Sequence, residues 1–171
     1  MAALAGVVLL VSGCQTKTDG KPEPSTGATS GAAAALWDPC TQVTDAVLKQ
    51  IGVEPSTKKS GVAGVEEPGW KVCNWNNSDF NLSVFSTART VDEFKQKPDN
   101  ADFKDVTVGG RGGVQYHRKS DTENEICDLV FPAKQGSISV MVSNRVSSDN
   151  KVAPCVRADA AAAQLVPLWP S

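Results

Sequence analysis

The sequence predicts an α+β domain: one antiparallel sheet of five to seven strands, with its N- and C-terminal helices on one face. Three observations lead to this prediction. Residues 39–51 and 152–166 have the apolar spacing or the alanine-rich composition of helices, and they flank the domain. Several short segments between them alternate apolar and polar residues, as half-buried strands do. Their connections are short and rich in turn-forming residues, which favours hairpins and antiparallel pairing.

The first helix is predicted over residues 39–51. Asp38 is a favourable N-cap, and Pro39 suits the first helical position because no N–H is needed there. Gly52 is expected to end the helix. The apolar residues at helical spacing are Val43, Ala46, Val47 and Ile51.

Residues 53–69 are rich in Gly and Pro, and we expect a loop there with a short strand around residues 61–65. A hairpin follows, because residues 71–75 and 80–87 alternate and are joined by a polar turn. A short helix is then predicted over residues 91–97, where Thr90 and Glu93 have the spacing of a capping box and Pro98 ends the helix.

The rest of the domain is predicted as four strands and a final helix. The strands are expected over residues 103–108, 114–119, 126–131 and 137–144. Glycine-rich or proline-containing turns are expected at residues 109–113 and 132–136. The final helix covers residues 152–166 and ends at Pro167.

The N-terminus has the pattern of a bacterial lipoprotein signal. An apolar run over residues 2–11 is followed by two small residues, Ser12 and Gly13, and then by Cys14. This run is too short for a spanning helix, which needs about 20 residues, but it fits the apolar core of an export signal. We therefore expect residues 1–13 to be a signal peptide and Cys14 to carry a lipid that anchors the protein to the extracytoplasmic face of the cell membrane. Because no Lys or Arg precedes the run, we expect the natural start to lie upstream.

The remaining chain is predicted to be a disordered tether over residues 14–35, which are polar and rich in helix-breaking residues, and one domain over residues 36–171. The formal net charge is −2, and no long basic run is present. Nucleic-acid binding is therefore not expected, because it requires a basic surface.

Five cysteines in an exported chain divide naturally into Cys14 and four that form disulfides. Four cysteines allow three pairings. The order helix–strand–strand–helix suggests that each terminal helix is joined to the sheet, and the pairs we expect are Cys40–Cys73 and Cys127–Cys155. No C-x₂-C spacing is present, which argues against a metal site and against a redox motif. No metal and no cofactor is expected.

Four short motifs carry a resemblance to a known family. They are WDPCT at residues 37–41, CNW at 73–75, ICDLV at 126–130 and APC at 153–155. Together with the signal pattern, they resemble a family of actinobacterial lipoproteins of unknown function that includes the mycobacterial lipoproteins LprB and LprC. The resemblance implies export, lipidation, two disulfides and an α+β domain. It implies no reaction.

Residues that could support catalysis are few. His117 is the single histidine, without a nucleophile motif beside it, and we expect it to be a surface residue at a strand end. The glycine run at 109–113 lacks the ending of a phosphate-binding loop. The acidic pairs Glu66–Glu67 and Glu123–Glu125 cannot be placed across a cleft from sequence. We therefore assign no catalytic residues and expect the protein not to be an enzyme.

Two functions remain after these exclusions. The first expectation is an envelope lipoprotein that binds a partner protein through an exposed apolar patch. The alternative is a carrier of a lipid or small molecule, which needs an apolar cavity of several hundred Å³ between the sheet and the helices. The small residues Ala158 and 160–163 of the last helix would permit either close packing or such a cavity.

Overall fold

The computed structural model describes residues 35–170, which form one seven-stranded antiparallel sheet with helices on both of its faces. The expected signal peptide, Cys14 and the tether up to residue 34 lie outside the described residues. The helices are α1 (Pro39–Gln42), α2 (Asp45–Ile51), α3 (Val91–Lys95) and α4 (Pro154–Leu165), and a 3₁₀ turn follows at Val166–Leu168. The strands are β1 (Glu54–Ser60), β2 (Trp70–Asn76), β3 (Phe80–Thr87), β4 (Asn100–Val108), β5 (Arg111–Arg118), β6 (Ile126–Ala133) and β7 (Gly136–Asn144).

The strands lie in the order β1-β2-β3-β7-β6-β5-β4, and all neighbours are antiparallel. Two sets of sequential hairpins are therefore joined at the centre, where β3 pairs with β7 from Phe80↔Asn144 to Thr87↔Ser137. Because β3 is central and β4 is an edge strand, the chain between them must cross the sheet. This crossing contains α3 and determines where a pocket forms.

One face of the sheet is covered by α1, α2 and α4, and it holds the main core. Alternating residues of the four central strands meet there and are fully buried, among them Leu82, Val84, Leu129 and Val140. The fold class predicted from the sequence, with the terminal helices on one face and two disulfides, is confirmed.

The disulfides join the terminal helices to this face of the sheet. Cys40 of α1 is bonded to Cys73 of β2, and Cys155 of α4 is bonded to Cys127 of β6. In each pair the Cα atoms are 5.1 Å apart, within the range that a disulfide spans. Both expected pairs are present.

The single helix predicted over residues 39–51 is wrong, because the structure has two short helices there. Val43 and Thr44 have extended backbones, with ψ of 119° and 156°. The Thr44 hydroxyl then accepts a hydrogen bond from the Val47 N–H and caps α2. The predicted stop at Gly52 is confirmed, since Gly52 is left-handed with φ of 94°.

The expectation of a loop over residues 53–69 with a short strand at 61–65 is also wrong. The strand is β1, at Glu54–Ser60, and residues 61–65 form a tight turn with one bridge between Val62 and Val65. Because β1 is an edge strand with mostly exposed side chains, it lacks the alternation that reveals a half-buried strand.

The predicted strands and helices from residue 70 onward are confirmed, with boundaries shifted by a few residues. Thr90 and Glu93 form the expected capping box of α3. Gly109 and Gly110 both have positive φ, which gives a two-residue hairpin turn, so β5 already begins at Arg111. The final helix ends at Leu165, and Pro167 lies in the following 3₁₀ turn.

Candidate ligand-binding site

Within residues 35–170, α3 is the one helix on the second face of the sheet, and it covers part of that face together with the residues that follow it. Phe94 of α3 is 4% exposed and packs in a small cluster with Val114, Tyr116 and Val130. These residues alternate with those that face the main core, so the two faces of the sheet carry separate apolar clusters. We call this second face the open face.

A pocket of about 420 Å³ lies on the open face beside α3. The sheet supplies its floor, and α3 with residues 97–100 supplies one side. Its lining residues are Trp70, Phe85, Phe94, Lys97, Pro98, Asp99, Asn100, Tyr116, Arg118, Asp128 and Ser139. We call it the open-face pocket.

Aromatic rings form much of the pocket wall. The Trp70 ring lies edge-on to Phe85, at 6.3 Å between centroids, and edge-on to Phe94, at 6.1 Å. Phe94 also contacts Tyr116, at 6.3 Å. These distances and angles are typical of favourable aromatic pairs, so the rings support one another around the opening.

An ion pair lies among these rings. The Arg118 guanidinium donates from Nε to Asp128 Oδ2 at 2.9 Å and from Nη2 to Oδ1 at 2.8 Å. This bidentate pairing fixes the orientation of the guanidinium plane relative to the carboxylate plane. The Asp128 side chain is only 2% exposed, whereas that of Arg118 is 35% exposed, so the carboxylate is buried and its partner reaches the pocket.

Burial and charge shift the proton affinities of this group. Burial raises the pKa of the Asp128 carboxyl, although Arg118 opposes the change. Burial alone would lower the pKa of Arg118, but the hydrogen bonds and negative charge of Asp128 raise it. The pKa of the Tyr116 phenol is raised mainly by burial and, to a smaller extent, by the negative charge of Asp128. Tyr116 therefore keeps its proton at neutral pH.

Lys97 is an exposed residue at the rim of the pocket. Its Nζ atom lies 4.7 Å from the centre of the Phe94 ring and 5.6 Å from that of Trp70, which are cation–π distances. Partial desolvation, followed by the positive charges of Arg89 and Arg118, lowers the pKa of Lys97. The ammonium group is thus held over the aromatic wall.

The residues considered for chemistry from the sequence lie elsewhere. His117 lies at the end of β5, as expected, but it is half-buried on the helix side of the strand: its Nε2 atom is 3.8 Å from Cys155 Sγ, and its Nδ1 atom is buried. Glu66 accepts a hydrogen bond from the Ser60 hydroxyl in the β1–β2 connection. Within residues 35–170, no group of three or more His, Cys, Asp or Glu side chains is placed to hold a metal ion.

The carrier alternative needs a cavity between the sheet and the helices, and the small residues of α4 would permit one beside that helix. Ala158, Ala161 and Ala162 of α4 are at most 1% exposed and lie within the main core. Their small side chains allow α4 to approach the sheet closely. The pocket is instead on the opposite face.

Sequence reasoning did not find the pocket residues. One signal was available: Asp128 is a single acidic residue inside the apolar strand β6, and a buried carboxylate requires a partner. Its partner Arg118 ends a strand in which Val114 and Tyr116 alternate on the same face. Nothing local links either residue to α3.

These features define a small, disulfide-stabilised α+β domain with a ligand-sized pocket on the open face of its sheet. The chain belongs to the family described as "Protein of unknown function (DUF3558)", whose model matches residues 9–168. This confirms the expectation of a family of unknown function. Comparisons with curated proteins and with solved structures gave no match. Within the described part of the chain, no helix has the length and apolar character needed to cross a bilayer.

Proposed function

We propose that this protein binds a small organic ligand in the open-face pocket, and that a lipid on Cys14 holds it at the extracytoplasmic face of the cell membrane. The binding proposal depends on one observation: aromatic side chains surround the Arg118–Asp128 ion pair in a pocket of about 420 Å³. Small-molecule sites are typically concave and largely apolar, with a few polar groups that orient the ligand.

The same residues also have structural roles, which must be weighed against binding. Phe94 attaches α3 to the sheet, and the ion pair joins β5 to β6. In a purely structural buried pair, further hydrogen bonds satisfy the remaining donors and offset the cost of desolvation. Here the guanidinium remains accessible from the pocket while its carboxylate is buried. This asymmetry favours a binding role in addition to the structural one.

Three observations support the lipid anchor. The apolar run has the length of an export-signal core, and two small residues, Ser12 and Gly13, separate it from Cys14. The family match begins at residue 9 and therefore includes Cys14. Two disulfides are typical of proteins in an oxidising compartment outside the cytoplasm. We further propose that the family relationship extends to the actinobacterial lipoproteins that the sequence motifs resemble.

The proposal is binding without catalysis. Asp128 and Arg118 are poorly suited to proton transfer, because they are bonded to each other. The raised pKa of Tyr116 also makes its phenol a poor acid or base near neutral pH. The pocket is therefore better suited to holding a ligand than to transforming one.

A partner protein is the second candidate. Among the described residues, three exposed apolar side chains fall within a short segment: Val146 is 82% exposed, Val152 is 39% exposed and Val156 is 60% exposed. Exposed apolar side chains close to one another are common at protein–protein contacts. If a partner docks there, Val146→Lys with Val156→Lys should abolish its cross-linking on membranes without affecting ligand binding.

Native mass spectrometry of the protein purified from its own membrane tests the main proposal. We expect a retained adduct of a few hundred daltons, roughly the ligand size that such a pocket accepts. Ser139→Leu should abolish the adduct, because Ser139 is part of the pocket lining. Ser143→Leu is the matched control, since Ser143 is on the same strand and the same face but outside the lining. Wild-type protein without an adduct, or an adduct unaffected by Ser139→Leu, would contradict the proposal.

A further inference from the structure

The chemistry of the open-face pocket points to one class of ligand, and this inference rests on the proposed function. We infer that the pocket binds an organic anion with an apolar body of one or two rings, whose negative group is held by Lys97 and Arg118.

Two cationic groups of the pocket have free donors. Lys97 Nζ makes no ion pair and no hydrogen bond with any described residue. Arg118 uses Nε and Nη2 on Asp128, and Nη2 also lies 3.0 Å from Met141 Sδ, whereas Nη1 has no hydrogen-bond partner among residues 35–170. Both residues line the same pocket. Their positive charges repel each other enough to contribute to the lowered pKa of Lys97.

The nearby carboxylates are already occupied. Asp128 is buried behind Arg118. Asp99 accepts hydrogen bonds from the Ser120 N–H at 3.0 Å and from the Ser120 hydroxyl at 2.7 Å, so both of its oxygens are engaged. Glu93 is bonded to Arg89 and to Thr90 of its capping box. Among the described residues, each of these carboxylates is already hydrogen-bonded, whereas Lys97 Nζ and Arg118 Nη1 are not. That arrangement matches an anion and disfavours a cation.

The apolar part of the ligand follows from the walls and the volume. Trp70, Phe85, Phe94 and Tyr116 line the pocket, and aromatic faces and edges pack well against another ring. A volume of about 420 Å³ lies near the lower end of the range for small-molecule sites. It suits a compact ring system and is small for a lipid with two acyl chains. The ligand is thus a small aromatic or alicyclic anion.

Isothermal titration with two matched probes tests this inference. Naphthalene-2-carboxylate and naphthalene-2-carboxamide have nearly the same shape but differ in charge. With the full chain and both disulfides formed, we expect the carboxylate to bind about tenfold more tightly, as charge-assisted hydrogen bonds to partly exposed donors allow. Lys97→Gln should remove most of this tenfold preference, because it weakens carboxylate binding more than carboxamide binding. Lys95→Gln is the control, because Lys95 is an exposed residue of α3 outside the lining.

The outcomes separate the inference from the proposed function. Equal affinity of the wild type for both probes would overturn the anion inference while leaving a small-molecule pocket in place. The same holds if Lys97→Gln lowers the affinity for both probes by the same factor. If neither probe binds to folded wild-type protein, the proposed function and the inference both fail. Added salt should weaken carboxylate binding more than carboxamide binding, because Lys97 is exposed to screening.

Discussion

The Arg118–Asp128 pair leads to a stability prediction that does not depend on any ligand. Replacing Arg118 by Met keeps much of the side-chain volume but leaves the Asp128 carboxylate, which is 2% exposed, without its cation. Breaking a fully buried pair in this way typically costs 3–5 kcal/mol. Because the Arg118 side chain is 35% exposed, water partly replaces the lost contact. We therefore expect Arg118→Met to lower the free energy of unfolding by about 2–3 kcal/mol near neutral pH.

The loss should depend on pH in a defined direction. Burial raises the pKa of Asp128 above its unfolded value of 3.8, and removing Arg118 should raise that pKa further. The folded protein then holds the proton more tightly than the unfolded chain, so stability falls as pH rises from about 3.8 through the folded pKa. The variant should therefore be close to wild type near pH 4 and fully destabilised at about pH 8.

Urea unfolding with the disulfides intact, followed by tryptophan fluorescence, measures this effect. The matched control is Arg118→Met with Asp128→Leu, which removes both charges and should restore stability to within about 1 kcal/mol of wild type. The reasoning is refuted if Arg118→Met costs less than about 0.5 kcal/mol at pH 8, or if the double variant is as unstable as the single one.

Three further predictions concern the anchor, a disulfide and one close packing contact. Cys14→Ala should move the protein from the membrane fraction to the soluble fraction, measured by immunoblotting, and unchanged membrane association would contradict the lipid anchor. Cys127→Ser with Cys155→Ser should lower stability by about 3–4 kcal/mol in urea unfolding, since the bond closes a loop with a sequence separation of 28. Gly113→Ala should lower the thermal midpoint, because its Cβ would lie 2.4 Å from a buried phenylalanine ring, at a cost of about 1–3 kcal/mol. Gly112→Ala has no atom within 4 Å of the new Cβ and should be neutral.

The fold was predictable where local signals agree. The segments at Trp70–Asn76 and Phe80–Thr87 combine alternation with a polar turn, and they form the expected hairpin. Thr90 and Glu93 alone indicate where α3 begins. The errors fall where tertiary contacts or an exposed edge replace such signals. At residues 39–51 the apolar spacing continues through a break at Thr44. In β1 the sequence EPSTKKS has no alternation of apolar and polar residues, although the burial of its first residues alternates.

The pocket could not be predicted, because its residues are distant in sequence and meet only through the order of the strands. Local patterns identify each hairpin, but they do not determine that β3 pairs with β7 and leaves β4 at the far edge. That order requires the chain after β3 to cross the open face, and the crossing places Phe94 and Lys97 over the sheet.

The position of the ion pair follows from the same topology. Tyr116 and Asp128 are direct partners in the β5–β6 register, and Arg118, two residues further along β5, is the diagonal neighbour of Asp128 on the same face. A long side chain at that position can reach across to the carboxylate. An alternating strand pattern would place an apolar residue at either position. In this protein both positions are charged, and α3 covers only part of the face above them. The result is a pocket with free donors and not a second closed apolar core.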